Sequence, residues 1–289
     1  MSWVPAGPAW LFCPADRPDR YGKAAAAADV VILDLEDAVT EADKPAARDA
    51  LVATPQDPER TVIRVNACDT EHFEADLASL RRTRYRRVML AKTESAAQVE
   101  RLDGYEVVAL IESPLGAVAI DDIVSAPGVV GAMWGAEDLV AALGGTSSRF
   151  VDGTYRDVAR HVRASTLLAA KARGVFALDS VYLDIADLDG LAAESEDAVA
   201  TGFDGKVAIH PRQVEVIRDA YRPSDEDVAW ATRVLDAVSS NRGVFSFEDK
   251  MVDAPVLRHA EQILRRAASR SRPIGLLRQR LGGSVPGTS

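Results

Sequence analysis

The sequence predicts an α/β fold, a (β/α)8 barrel followed by a C-terminal helical extension. Three observations predict it. Eight short apolar runs recur along the chain, each ends in a polar or charged residue, and helical segments rich in Ala, Leu and Arg separate them. Short runs of β-branched and large apolar residues bounded by turn residues are the pattern of buried parallel strands. Strand and helix alternating eight times make a closed barrel. A chain of 289 residues holds one such barrel, which needs about 250, with some left over.

The first run is "AWLFCP" (9–14). After it, "PADRPDRYGKAAAAA" starts a helix with Arg17, Arg20 and Lys23 spaced three apart. At a helix start they line one face near positive backbone N–H groups, which suits a phosphorylated ligand; a solvated basic face is the alternative. The second run, "VVILDLED" (30–37), ends in Asp34, Glu36 and Asp37. A bare carboxylate cluster is costly to bury unless something positive lies on it. The third, "TVIRVNA" (61–67), carries Arg64 and Asn66, and "FEADLASLRRT" follows as a helix. The fourth, "RVMLAKT" (87–93), carries Lys92. The fifth, "EVVALIES" (106–113), ends in Glu112, and the sixth, "GAMWGAED" (131–138), in Glu137 and Asp138. The seventh is "FALDSVYL" (176–183), preceded by the helical "YRDVARHVRASTLLAAKARG". The eighth, "GKVAIHP" (205–211), ends in His210, expected to be structural.

Residues 1–223 are therefore expected to form the barrel. "SDEDVAWATRVLDAVSSNRG" (224–243) has a Ser cap, an acidic first turn and a terminal Gly, which mark a helix. "APVLRHAEQILRRAAS" (254–269) is a second, with "VFSFEDKMVD" between them. A barrel already closed by eight strands leaves 224–269 free to pack on another subunit. Residues 270–289, basic and rich in Gly, Ser and Pro, are expected to be a mobile tail.

Composition limits the functions available. The chain is 47% hydrophobic and 27% charged, as folded soluble proteins are. A net charge of -10 argues against nucleic-acid binding. Cys13 and Cys68 are too few for a disulfide framework. The N-terminus lacks a basic region followed by an apolar one, and no run approaches the roughly 18 apolar residues of a membrane span. The expected setting is the cytoplasm, with reduced thiols and no membrane partner.

Active sites of such barrels lie at the C-terminal ends of the strands. Solvated loop charges explain any single polar residue there, but explain less well acids and an arginine embedded directly at the ends of apolar runs. Glu112 and Asp138 fit a hard cation: Mg²⁺ takes one or two protein carboxylates and leaves its other positions to water and substrate. A pair of carboxylates bridged by Arg64 without metal is the alternative. Asp34, Glu36 and Asp37 would then orient Arg64 or accept from metal-bound water. Small Gly135 and Ala136 would let backbone N–H groups approach a bound anion, or serve tight strand-to-helix packing. No His/Cys spacing suggests zinc.

Together "LFCPADRPDRYGKAA", "VVILDLEDAV", "VIRVNA", "MLAKTES", "ALIESPLGA", "MWGAEDL", "GFDGKVAIHP" and "FEDKMVDAPVL" resemble the HpcH/HpaI aldolase and citrate lyase β-subunit family. The likeness is strongest to stand-alone citrate lyase β-like proteins and malyl- and citramalyl-CoA lyases, and spans about residues 9–265 in order. The resemblance implies a TIM barrel that binds Mg²⁺ and cleaves a β-hydroxyacyl thioester by retro-Claisen chemistry. It implies that Glu112 and Asp138 bind the metal and that Arg64 holds the substrate carboxylate or the developing enolate oxygen. Asp253, in "MVD", would be the acid/base, reaching a neighbouring subunit's site. Arg17, Arg20, Lys23 and Lys92 would lie near the CoA phosphates. A homotrimer, or a dimer of trimers, is the assembly implied. A metal–Arg64 centre would also account for the acids of "LDLED".

Other readings keep the same residues. A citrate lyase β subunit would act on a carrier-bound citryl thioester, and a thioesterase would direct water at the thioester. A pyruvate-type aldolase commonly carries an early catalytic His, and no His precedes His72. A silent assembly subunit would have no need of Arg64, Glu112, Asp138 and Asp253 together.

Overall fold

Eight parallel strands close into a barrel in chain order in the computed structural model, which describes residues 3–238, 244–248 and 250–269. The strands are β1 (Ala9–Pro14), β2 (Val30–Asp34), β3 (Thr61–Val65), β4 (Arg87–Leu90), β5 (Glu106–Ile111), β6 (Val129–Trp134), β7 (Phe176–Asp179) and β8 (Gly205–Ala208). The ring is completed by β1 on β8, with Trp10 opposite Val207. Each strand lies on an apolar run read from the sequence. β6 starts two residues earlier than the 131 expected, at Val129.

Helices fill the crossovers. They are α1 (Pro18–Ala27), α2 (Lys44–Ala53), α3 (Phe73–Leu80), α4 (Ala96–Glu100), α5 (Pro114–Val118), α6 (Ile120–Ser125), α7 (Ala136–Ala142), α8 (Asp157–Arg173), α9 (Leu188–Thr201) and α10 (Pro211–Ala220). Their caps are local. Ser95 and Ser113 accept from the N–H groups of Gln98 and Gly116 to start α4 and α5. His210 caps α10, its ring accepting from the Arg212 N–H while Gln213 reaches back, so this histidine is structural, as expected.

Alternation of side chains along each strand sorts the core into two layers. Trp10, Ile32, Val62, Met89, Leu110, Met133, Leu178 and Val207 fill the barrel interior. Their strand neighbours, among them Leu11, Leu33, Ile63 and Ala109, pack outward on helix residues such as Tyr21, Leu51 and Phe73. The parity places the site. Phe12, Asp34, Arg64 and Glu112 are each two residues beyond an interior residue of β1, β2, β3 and β5, so they share the inward face at the C-terminal mouth.

The chain divides into two units, Met1–Tyr221 and Arg222–Ser289. In the second, α11 (Asp225–Val238) and α12 (Ala254–Ser269) pack around Ala231, Val234, Val252, Ala260 and Ile263. Between the two helices, where the sequence predicts only a helical extension, the chain holds an antiparallel pair, β9 (Phe245–Phe247) and β10 (Lys250–Val252). The tail expected over 270–289 lies outside the described residues. Among the described residues no helix is long and apolar enough to cross a membrane. Cys13 and Cys68 are buried and free, and burial pushes both thiols up to about 11, consistent with no disulfide framework.

Candidate functional site

Asp34 is the last residue of β2 and Arg64 the fourth of β3, facing it in the strand register. The guanidinium donates to both carboxylate oxygens, Nε to Oδ1 at 2.7 Å and Nη2 to Oδ2 at 2.6 Å. The Glu36 and Ala38 N–H groups also donate to Asp34, so its carboxylate is fully partnered. The third arm of Arg64, Nη1, is 3.0 Å from Glu36 Oε2, and the guanidinium lies over the Phe12 ring. Burial works against the Arg64 charge, but Asp34 and then Glu36 outweigh it and raise its pKa above the ordinary value. Arg64 therefore grips Asp34 and Glu36 rather than bridging Glu112 and Asp138, the metal-free arrangement weighed from sequence.

Glu36 is buried, and its loop is held from below. The buried Lys44 ammonium donates to the carbonyls of Leu35 and Glu36 and to Asn66 Oδ1. Asn66 donates to the Leu35 carbonyl and to Asp76. Asn66 thus braces the acid loop. Lys44 was missed, because at the start of a helix it reads as one more solvated charge. Burial raises the Glu36 pKa despite Arg64 and Lys92. The more exposed Asp37 is pushed up by burial but held lower by Lys92, and ends below its ordinary value.

Lys92 follows β4. Its ammonium pairs closely with Glu36 Oε1 and lies 3.5 Å from Asp37 and 3.6 Å from Asp138. Burial lowers its pKa, but Glu36, then Glu112 and Asp138, outweigh burial and raise it above the ordinary value. It is thus drawn into the acidic mouth, a placement the sequence did not signal. Its backbone N–H donates to Glu112 Oε1 at 2.9 Å.

Glu112 is 3% exposed. Burial, then the neighbouring charge of Asp138, push its carboxyl up to about 8, and Arg64 and Lys92 compensate only in part. Gly135, the N-cap of α7, packs on it: a Cβ there would fall 2.7 Å from Glu112 Oε2. The Gly135 N–H donates to the Ile111 carbonyl, so the expectation that this N–H meets a bound anion is corrected: it is spent on strand pairing, and the missing Cβ makes room for Glu112. Ala136 is buried at the first turn of α7, and Asp138, two residues on, is partly exposed at the mouth. The preceding Glu137 accepts from Ser148 at 2.6 Å, which ties α7 to the loop beyond it.

These residues fit a divalent cation. A buried carboxylate holding its proton to about pH 8 beside a second acid is relieved by a cation on the pair. Among the described residues no group of three or more His, Cys, Asp or Glu is placed to hold a metal ion, so the candidate ligands are the two carboxylates alone. Two carboxylates and an open side match what Mg²⁺ takes.

Arg17, Arg20 and Lys23 are exposed, just before and along the first turns of α1, beyond the end of β1. Arg17 lies 3.6 Å from Asp16. Asp253 lies in the second unit, where Oδ1 accepts from the Val256 N–H at 3.3 Å as the cap of α12.

One charged cluster escaped the sequence reading. Asp179 of β7 and Lys206 of β8 are fully buried and paired at 3.0 Å. Arg163, the Trp134 indole N–H and Glu194 complete the group. "FALDSVYL" and "GKVAIHP" each show one charge, and nothing in either run signals that the two meet.

Known proteins resemble this chain in sequence and in fold. The model of the HpcH/HpaI aldolase/citrate lyase family matches residues 9–211. A citrate lyase subunit beta-like protein of Mycobacterium tuberculosis (strain H37Rv) is 63% identical over 267 residues, covering 92% of this chain and 98% of the relative. The mitochondrial citramalyl-CoA lyase of Rattus norvegicus is 30% identical over 83% of this chain and 80% of its own. The crystal structure of CitE from M. tuberculosis in complex with magnesium, acetoacetate and coenzyme A superposes with a TM-score of 0.87 at 62% identity, covering 91% of this chain and 98% of that one. The chain belongs to the HpcH/HpaI aldolase/citrate lyase family.

Proposed function

We propose that this chain is a Mg²⁺-dependent carbon–carbon lyase that cleaves a β-hydroxyacyl-CoA thioester to acetyl-CoA and an oxo-acid. The observation that carries the reading is the geometry at the mouth of the barrel: buried Glu112, held by the Lys92 N–H at 2.9 Å and packed on Gly135, together with Asp138 and an arginine anchored on Asp34. The relative solved with magnesium, acetoacetate and coenzyme A supports the choice of metal and thioester.

Glu112 and Asp138 would hold Mg²⁺, with Glu36 and Asp37 beside them. When bound, the ion supplies a Lewis acid for the hydroxyl and carboxylate oxygens of the acid half. Arg64, fixed by Asp34 and Glu36, stabilises negative charge where it develops as the carbon–carbon bond breaks. A base at the mouth takes the hydroxyl proton as that bond breaks and the oxo group forms, and Asp253, entering protonated, gives its proton to the resulting enolate carbon, or removes that proton in the condensation direction. In this reading the 224–269 extension brings Asp253 to a neighbouring subunit, in a homotrimer or a dimer of trimers. Arg17, Arg20 and Lys23 receive the CoA phosphates. Lys92, whose ammonium pairs with Glu36 and lies 3.6 Å from Asp138, acts beside the metal in this reading, and no phosphate contact is assigned to it.

The test is a panel of malyl-, citramalyl-, citryl- and hydroxymethylglutaryl-CoA assayed for acetyl-CoA release, with EDTA and with Mg²⁺ restored. Release from at least one thioester, abolished by EDTA and by Glu112→Gln, is expected. Free CoA without acetyl-CoA would instead identify a thioesterase, and full activity in chelator would remove the metal from the reading.

A further inference from the structure

Lys92 touches both proposed metal ligands in different ways. Its backbone N–H donates to Glu112 Oε1 at 2.9 Å, while its ammonium lies 3.6 Å from Asp138 Oδ1. Its φ of +48° is in the left-handed region, which a side chain with a Cβ seldom adopts. A non-glycine residue held there at a site is a reason to look for a role. In that conformation the N–H serves β5 and the side chain serves the acids of the β2 loop and α7.

The charge balance around the ammonium is uneven. Arg64 is committed to Asp34 and Glu36. Lys92 is the cation that pairs with Asp138 within 4 Å among the described residues. A Mg²⁺ ion held by Asp138 would add a second positive charge to a carboxylate that the ammonium already faces. Two cations on one carboxylate repel at short range.

We infer that Lys92 is a counter-ion competing with the divalent cation for Asp138: its side chain sets how tightly the site binds the ion, and its backbone N–H keeps Glu112 aligned. The inference rests on the reading that Glu112 and Asp138 hold that cation. It assigns opposite effects to two parts of one residue. The N–H helps the site and survives any substitution except proline. The ammonium opposes the ion and is removed by a neutral side chain.

Calorimetric titration of Mg²⁺ into the full chain, with no thioester present, separates these effects. Lys92→Met retains the N–H and the Cβ, and is expected to bind Mg²⁺ about tenfold more tightly than the wild type. Lys92→Arg, which keeps the charge, is expected to bind within about twofold of the wild type by the same reasoning. Glu112→Gln is the control and is expected to abolish binding. Lys92→Gln repeats the neutral substitution with a polar side chain should the methionine variant fail to fold. Unchanged or weaker binding in the neutral variants, with Glu112→Gln inactive in binding, overturns the role of Lys92 and leaves the metal site standing. Wild-type binding in Glu112→Gln overturns the site itself.

Discussion

Gly135 and Glu112 are in such close contact that a single added methyl group would lie 2.7 Å from the carboxylate oxygen and 2.8 Å from the Glu112 Cβ. The glycine is not required by its backbone, which is extended at φ -121°. It is required by the side chain across from it. Gly135→Ala should therefore fold, at an overpacking cost of about 1–3 kcal/mol. It should displace Glu112 and lower turnover roughly 10²-fold, as small misplacements of catalytic groups do. Melting temperature and kcat measured together check this; wild-type kinetics would show that Glu112 can move without consequence.

Arg64→Lys keeps a positive charge but loses the planar fork that holds both oxygens of Asp34. One of the Asp34 oxygens, or Glu36, loses its guanidinium contact. Turnover is expected to fall by roughly 10²–10³, the scale of losing one aimed donor at a developing oxyanion. Steady-state kinetics at saturating Mg²⁺ test it. An unchanged kcat would make Arg64 a peripheral group.

The Asp179 cluster predicts acid sensitivity unrelated to catalysis. Burial opposes the Asp179 charge, but Lys206 and Arg163 outweigh it and hold the carboxyl down to about 2 from an ordinary 3.8. A depressed carboxyl contributes stability that is fully present above its ordinary value and is lost as pH falls through the depressed one. Here that is roughly 2 kcal/mol, lost as the pH drops from about 4 to below 2. Asp179→Asn should be less stable at pH 6 and show a shallower acid limb in urea unfolding between those pH values. Equal slopes in the two proteins would remove Asp179 from the acid transition.

Asp253 separates capping from chemistry in one position. Asp253→Ala loses the bond from the Val256 N–H and should cost about 1 kcal/mol. Asp253→Asn keeps a capping oxygen, and should remain folded and bind Mg²⁺ while losing roughly 10²–10⁴ in turnover. Mixing inactive Asp253→Asn with inactive Glu112→Gln under subunit exchange should restore activity if the residue acts on a neighbour. Background activity after proven exchange would show that it does not.

The barrel was legible because its strands are buried on both faces and so read as uninterrupted apolar runs, from "AWLFCP" to "GKVA". The acids and Arg64 were legible because they interrupt those runs at one end, where the inward parity continues. Three things were not. The Asp179–Lys206 pair joins residues 27 apart in sequence, and each charge alone looks like a strand terminus. The direction of Lys92 depends on a left-handed backbone that nothing in "LAKTE" requires. The β9–β10 pair is two three-residue strands, too short for alternation to register.

Lys44 has a consequence beyond bracing. Its three donors hold the Leu35 and Glu36 carbonyls and Asn66, so the peptide carrying Glu36 is already set before any substrate arrives. Dipoles fixed in advance need not rotate when charge shifts in the reaction, whereas water dipoles would have to. For the proposed reaction, burying one lysine at the start of α2 would lower the reorganisation energy at the mouth of the barrel. Its loss would be felt in the activation barrier before it was felt in binding.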